Sequence, residues 1–387
     1  MNNRVEPDES IEVNSDTTRL RTLYKHFRKR KLIWIIFSII LIVVIILVST
    51  ITATMKKTKK EKTTTTTSEL LTTTTTSEQL ISSVIINSNT KWKQNASTVA
   101  GGNGPGSELN QLKYPQGIYV DNDDHSIYIA DNDNHRIVRW EFGANTGTIV
   151  AGGNGPGNEI FRLNTPVDVV LDKDREYIII CDQTNARVTR WSRQNNPDPE
   201  ILIHGIACRG LAMDNNGDLY ICDMLRNQVK RFQQGNEEGT VVAGGNGPGN
   251  HFNQLSRPHY IFVDEYYSVY VADSWNNRVM KWEKNATDGI LVAPGQASNE
   301  NPSSMFQPIG VIADHMGNIY VLTHVTDQIM RWSSGATAGV PVVGGKESGP
   351  GLTQLSHPFD LSFDRQGNLY VADFGNNRIQ KFDIDRG

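Results

Sequence analysis

A carboxylate, an imidazole and a guanidinium stand within six residues of one another, as Asp131, His135 and Arg136, in the stretch of residues 127–140. Such a set could serve general acid–base catalysis, with the Arg stabilising charge that develops in a transition state. The Asp–Arg pair returns, however, at Asp182 and Arg187, Asp273 and Arg278, and Asp373 and Arg378. Four copies are too many for one catalytic centre. A structural pair fixing a turn explains the repetition, so these eight residues are assigned to the scaffold. What does not repeat, such as His135 and Asp133, is where a private function is expected.

The elements that carry these residues repeat too. The position of Asp131 recurs at Asp182, Asp223, Asp273, Thr323 and Asp373, with separations of 51, 41, 50, 50 and 50 residues. A period of this size marks a propeller or another repeat array. Each copy opens with Pro115, Pro166, Cys208, Pro258, Pro308 or Pro358 and ends its third run with Trp140, Trp191, Phe232, Trp282, Trp332 or Phe382. Short β-branched and aromatic runs bounded by Asn, Asp and Gly read as strands joined by tight turns, four to a period, which is the size of a propeller blade. The sixth copy lacks its fourth run, whereas STVAGGNGPG at 97–106 nearly duplicates TIVAGGNGPG at 148–157. The fold expected is therefore all-β: a six-bladed β-propeller of four-stranded antiparallel blades over residues 97–387, its ring closed by an N-terminal strand.

The repeat resembles the NHL repeat, on Pro115-Gln116-Gly117 with residues 127–131 and 134–137, and most clearly on residues 367–373 with 376–379. The resemblance implies the six-bladed fold and leaves function open, since such propellers serve as receptors, RNA readers, ligase-associated adaptors and a lyase. The peptide-amidating lyase, similar in fold, holds zinc through three His, each directly after the Pro that opens a blade. The matching positions here hold Gln116, Val167, Arg209, His259, Ile309 and Phe359. One imidazole cannot make a three-ligand zinc site, so His259 either lines the channel or caps a strand. The resemblance thus assigns no catalytic, cofactor or metal residue, and zinc or calcium is kept only as an alternative. Residues 121–124 and 131–134 offer oxygens that Ca²⁺ accepts, but without the distant bidentate Glu of a calcium loop. The AGGNGPG segments at 100–106, 151–157 and 243–249 read as turn glycines, because strands follow them where a phosphate loop needs a helix and a Lys.

Ahead of the repeats, residues 32–55 are uncharged and long enough to cross a hydrocarbon core of about 30 Å. They are read as one transmembrane helix, a signal-anchor between a cytosolic tail at 1–31 and a Thr/Ser-rich stalk at 56–96. Seven Lys and Arg at 19–31 against five at 56–62 favour a cytosolic N-terminus. Both glycosylation sequons, at Asn95 and Asn285, then lie on the extracellular or lumenal side. Residues 98–387 hold 23 Lys plus Arg and 34 Asp plus Glu, a net of −11, which repels nucleic acid. Outside the cytosol a disulfide is permitted: Cys181 with Cys208 is preferred, and Cys208 with Cys222 is the rival. The function expected is a membrane-anchored extracellular binding module for protein, peptide or glycan ligands, without catalysis. The alternative is an extracellular metal-dependent lyase or hydrolase using the channel.

Overall fold

The computed structural model describes residues 86–387 except 88, 195–197, 237, 296–306 and 346. The expected tail, membrane span and most of the stalk lie outside the described residues. Among the described residues, no helix is long and apolar enough to cross a membrane.

Six four-stranded antiparallel blades form from the repeat in chain order. The first consists of Pro115–Asp121, Ser126–Asp131, Arg136–Glu141 and Thr148–Gly152. Alternation along these strands turns one set of side chains to each neighbouring blade. Tyr128, Ala130 and Ile137 of blade one thus meet Val169, Leu171, Ile178 and Ile180 of blade two in one apolar layer. Each blade's terminal aromatic is buried in such a layer. Between the third and fourth strands the register slips, as at Ile137/Val138 and Val279/Met280, which adds the local twist a bulge supplies.

Ring closure follows the expected pattern. Ser97–Gly101 pairs with Arg378–Phe382 and completes blade six, with Thr98 opposite Gln380 and Ala100 opposite Ile379. Gly101 leaves this strand at φ +67°, where an added Cβ would come within 2.5 Å of the Asn377 carbonyl oxygen. Only glycine fits that corner.

Two features depart from the expectation. The chain continues past the third strand of blade six to Ile384–Asp385, which pairs with Lys91–Trp92 in a second clasp between the ends of the ring. Ile86, Trp92 and Ala96, assigned above to the stalk, are buried with residues of blades five and six. Trp92 lies 5.6 Å from the Tyr320 ring and 5.8 Å from Phe363, and its indole N–H donates to the Gly367 carbonyl at 2.9 Å. A bulky apolar side chain with a satisfied N–H gains most by entering this seam, so ring packing begins ahead of residue 97.

The blades define two faces. The upper carries the ends of the second strands, the glycine loops and the starts of the first strands. The lower carries the turns between first and second and between third and fourth strands.

Candidate functional site

The repeated Asp–Arg pairs are joints of the scaffold. Asp131 Oδ1 accepts the Lys113 backbone N–H at 2.7 Å, and Oδ2 accepts Asn134 Nδ2 and Arg136 Nε at 2.8 and 2.7 Å. Arg136 then donates to the carbonyls of Ser107, Glu108 and Gln111, fastening the glycine loop to the blade. The same arrangement surrounds Asp182 and Arg187, Asp273 and Arg278, and Asp373 and Arg378. Every pair therefore holds the incoming loop as well as its own turn. In blade three Arg226 takes over as partner of Asp223, and in blade five Thr323 and Gln328 make a neutral substitute.

The unrepeated residues turn out to be structural as well. His135 Nδ1 accepts the Thr165 backbone N–H, and the side chains of Asn227, Asn277, Asp327 and Asn377 do the same for Arg257, Gln307, His357 and Tyr114. His135 therefore fills the repeat's blade-to-blade cap rather than a private role, because Nδ1 sits where an Asx oxygen would. Asp133 pairs with Lys113 at the surface. The oxygens considered for calcium at residues 121–124 face guanidinium groups: Arg139 and Arg193 meet Asp124, and Arg175 and Arg365 meet Asp123. Cys181 and Cys208 are disulfide-bonded with Cα atoms 5.7 Å apart, joining blades two and three, while Cys222 is a buried thiol. Asn95 and Asn285 are both exposed, Asn95 just before the closing strand and Asn285 in the turn between Arg278–Trp282 and Ile290–Ala293.

What remains is the mouth of the channel on the upper face. Gln116, Val167, Arg209, His259, Ile309 and Phe359 occupy one position in six blades, at the start of each first strand. Arg209 reaches past blade two to the Gln116 side-chain oxygen at 3.3 Å. One residue deeper, the Tyr260 hydroxyl donates across to the Val167 carbonyl at 2.7 Å. His259 is held down to about 3 by burial first, then by the charge of Arg209, by His324 and by Arg257, so its ring is neutral at pH 7. Burial and His357 also lower His324, against an opposite pull from Asp327. His259 Nδ1, His324 Nδ1 and Arg209 Nε are buried without a hydrogen-bond partner among the described residues. A row of rings leads outward: His324 to Phe359 at 5.2 Å, Phe359 to Phe374 at 4.7 Å, and Phe374 to Tyr114 at 4.7 Å.

Beneath the mouth, Asp168 and Asp360 each accept the first-strand N–H of the next blade, at Leu211 and Ile118. Burial raises both carboxyls above their usual range, and at Asp168 the charge of Asp360 adds to it. Among the described residues no group of three or more His, Cys, Asp or Glu could hold a metal ion.

Two of the six copies match the NHL repeat. The match covers residues 112–140 and 355–382, the loop, first strand and hairpin of blades one and six. No curated protein matches the sequence. Among solved structures, the chain is similar to a structural genomics protein of unknown function from Bacteroides thetaiotaomicron, at 19% identity and a TM-score of 0.59, over 76% of this chain and 77% of that one. An auxiliary nutrient binding protein from the same organism gives 14% and 0.59, over 77% of each chain. A streptogramin B lyase gives 12% and 0.52, over 75% of this chain and 98% of that one. At such identities the likeness is one of fold.

Within the ring, sequence reasoning found His259 and missed His324, His357 and Phe374. His324 and Phe374 hold the same place in neighbouring blades, directly after the last residue of the second strand. The available signal was replacement: Thr323 stands where the other copies keep Asp, and the next position varies through Asn132, Gln183, Met224, Ser274, His324 and Phe374.

Proposed function

We propose that this chain is a binding protein whose NHL-type ring presents its upper face to a protein, peptide or glycan, with no catalytic role. In this reading residues 32–55 span a membrane, residues 1–31 are cytosolic, and a glycosylated stalk carries the ring on the extracellular or lumenal side.

One observation carries the choice of face: at the channel mouth Arg209 Nε, His259 Nδ1 and His324 Nδ1 have no hydrogen-bond partner among the described residues, and turns of the same face expose Tyr114 (41%), Trp275 (58%), Val325 (53%) and Leu225 (64%). Large apolar side chains in short turns leave much of their surface to water, and a partner is what would cover it. Arg257 stacks 4.3 Å over Trp275, pre-arranging an amphipathic rim. The sequon Asn95 and Asn285 belong to the lower-face ends of their strands, so glycans there leave the upper face open. The absence of catalysis is supported by the use of the Asp–Arg pairs as loop joints, and the ring's net charge of −11 argues against nucleic acid.

Surface proximity labelling with the full chain on its native cell tests the reading. The double change Tyr114→Ser with Trp275→Ala should remove the labelled partner, while Tyr266→Ser with Met316→Ser on the lower face should not. The opposite pattern sinks it, and stoichiometric metal that resists dialysis in a chain with lyase or hydrolase activity would revive the enzyme alternative.

A further inference from the structure

We propose that the channel mouth binds an acidic peptide segment, taking a Glu or Asp side chain at Arg209, His259 and His324 and an apolar side chain along the neighbouring rings. The inference rests on the reading of the upper face as the binding face and adds the chemistry of what it binds.

The argument starts from Arg209. A guanidinium withdrawn from water is costly unless a carboxylate or a full set of acceptors meets it. The four most buried Arg side chains, Arg136, Arg187, Arg278 and Arg378, each have an Asp at 2.7 to 2.8 Å, whereas Arg209 is half-buried. Arg209 has no carboxylate within ion-pair distance among the described residues. Its contact is the neutral Gln116 oxygen, and its Nε is unsatisfied. Beside it, two imidazole nitrogens also lack partners. Nearby carboxylates are committed elsewhere, Asp327 to the His357 backbone N–H and Asp168 and Asp360 to strand N–H groups. Arg209 is thus an uncompensated positive charge beside two imidazoles in a ring of net charge −11, and an incoming carboxylate supplies what the chain does not.

The surroundings select a peptide over a sugar. A neutral sugar has no carboxylate for Arg209, and beside it Phe359, with Val167 and Ile309 buried behind, presents an apolar face. The row runs from Phe359 through Phe374 to Tyr114 in two steps of 4.7 Å. Same-side residues of an extended chain repeat at about 7 Å, so an acidic residue in the mouth places the residue two positions on against Phe374 and Tyr114.

Ligand-observed NMR on the full chain, with Ac-Gly-Glu-Gly-Phe-Gly-NH2 and its Gln counterpart, tests this. The Glu peptide should bind about tenfold more tightly than the Gln peptide. Arg209→Gln should abolish that difference, and Arg209→Lys should keep part of it. Phe374→Ser should weaken both peptides alike. If Arg209→Gln does not fold, the comparison of peptides on the parent chain and on Arg209→Lys decides. Equal binding of both peptides overturns the carboxylate site and leaves the binding face standing. Binding of neither peptide overturns the inference, and the labelling experiment then decides the face independently. Displacement of the Glu peptide by glucuronate at lower concentration than by the peptide itself overturns it in favour of a glycan.

Discussion

Replacing Asp373 with Ala tests whether each Asp–Arg pair acts as one unit with the loop it fastens. The carboxylate is fully buried and accepts from the Ser356 N–H at 2.7 Å, Asn376 Nδ2 at 2.9 Å and Arg378 Nε at 2.7 Å. Arg378 is 6% exposed, and its other donors reach the carbonyls of Pro350, Gly351 and Gln354. Ala leaves that guanidinium buried without a counter-charge, a loss of about 3–5 kcal/mol. Blade five contains a neutral solution in the same position, with the Thr323 hydroxyl donating to the Gln328 carbonyl at 3.2 Å and Gln328 Nε2 donating to the Gly345 carbonyl at 3.3 Å. The double change Asp373→Thr with Arg378→Gln removes both charges at once and should cost only about 1–2 kcal/mol, the loss of a few hydrogen bonds. With the single changes Asp373→Thr and Arg378→Gln it forms a cycle whose coupling should reach about 2 kcal/mol. Urea unfolding of the full chain, followed by tryptophan fluorescence, measures all three. A double variant as destabilised as the sum of the two singles would refute the reasoning.

Four further outcomes are expected. A chain beginning at Leu109 loses both Ser97–Gly101 and Lys91–Trp92, so it should melt without cooperativity, while one beginning at Thr90 should keep a sharp transition; equal melting curves would contradict closure by the N-terminal strand. Within the longer chain, Trp92→Ala should cost about 3–5 kcal/mol in the same assay. Non-reducing peptide mapping should recover Cys181 linked to Cys208, with Cys222 alkylated only after denaturation, and reduction should remove about 3 kcal/mol of stability. Asp360 is pushed up to about 7 by burial, so the folded state keeps a proton that the unfolded chain releases near 4, and this contribution is lost as pH rises between those values. His259 works in the opposite direction, since its folded value of about 3 lies below the unfolded one and stability is lost as pH falls from about 6.5. Asp360→Asn should therefore gain on the parent as pH rises from 4 to 7, and His259→Gln should gain on it as pH falls from 6.5 to 3. Denaturant midpoints across pH measure both, and parallel profiles would show that neither group titrates as described.

The sequence by itself determined the blades, because a blade is made of residues close in the chain. Alternation, turn residues and the Asp–Arg spacing are local, and their repetition at a near-constant interval marked six copies. Closure was legible for the same reason, since residues 97–106 duplicate the piece at 148–157. The Lys91–Trp92 clasp was not, as a two-residue strand has no period and owes its place to the pocket between Tyr320 and Phe363. His135 looked private because an imidazole nitrogen stands in for the oxygen its counterparts use. Only the tertiary structure decided the channel mouth. Arg209, His259 and Phe359 hold one repeat position in three blades but differ in type there, His324 comes from another position in a fourth blade, and the curvature of the closed ring is what brings them together. That curvature also leaves Arg209 without the carboxylate its counterparts possess, which no single copy of the repeat reveals.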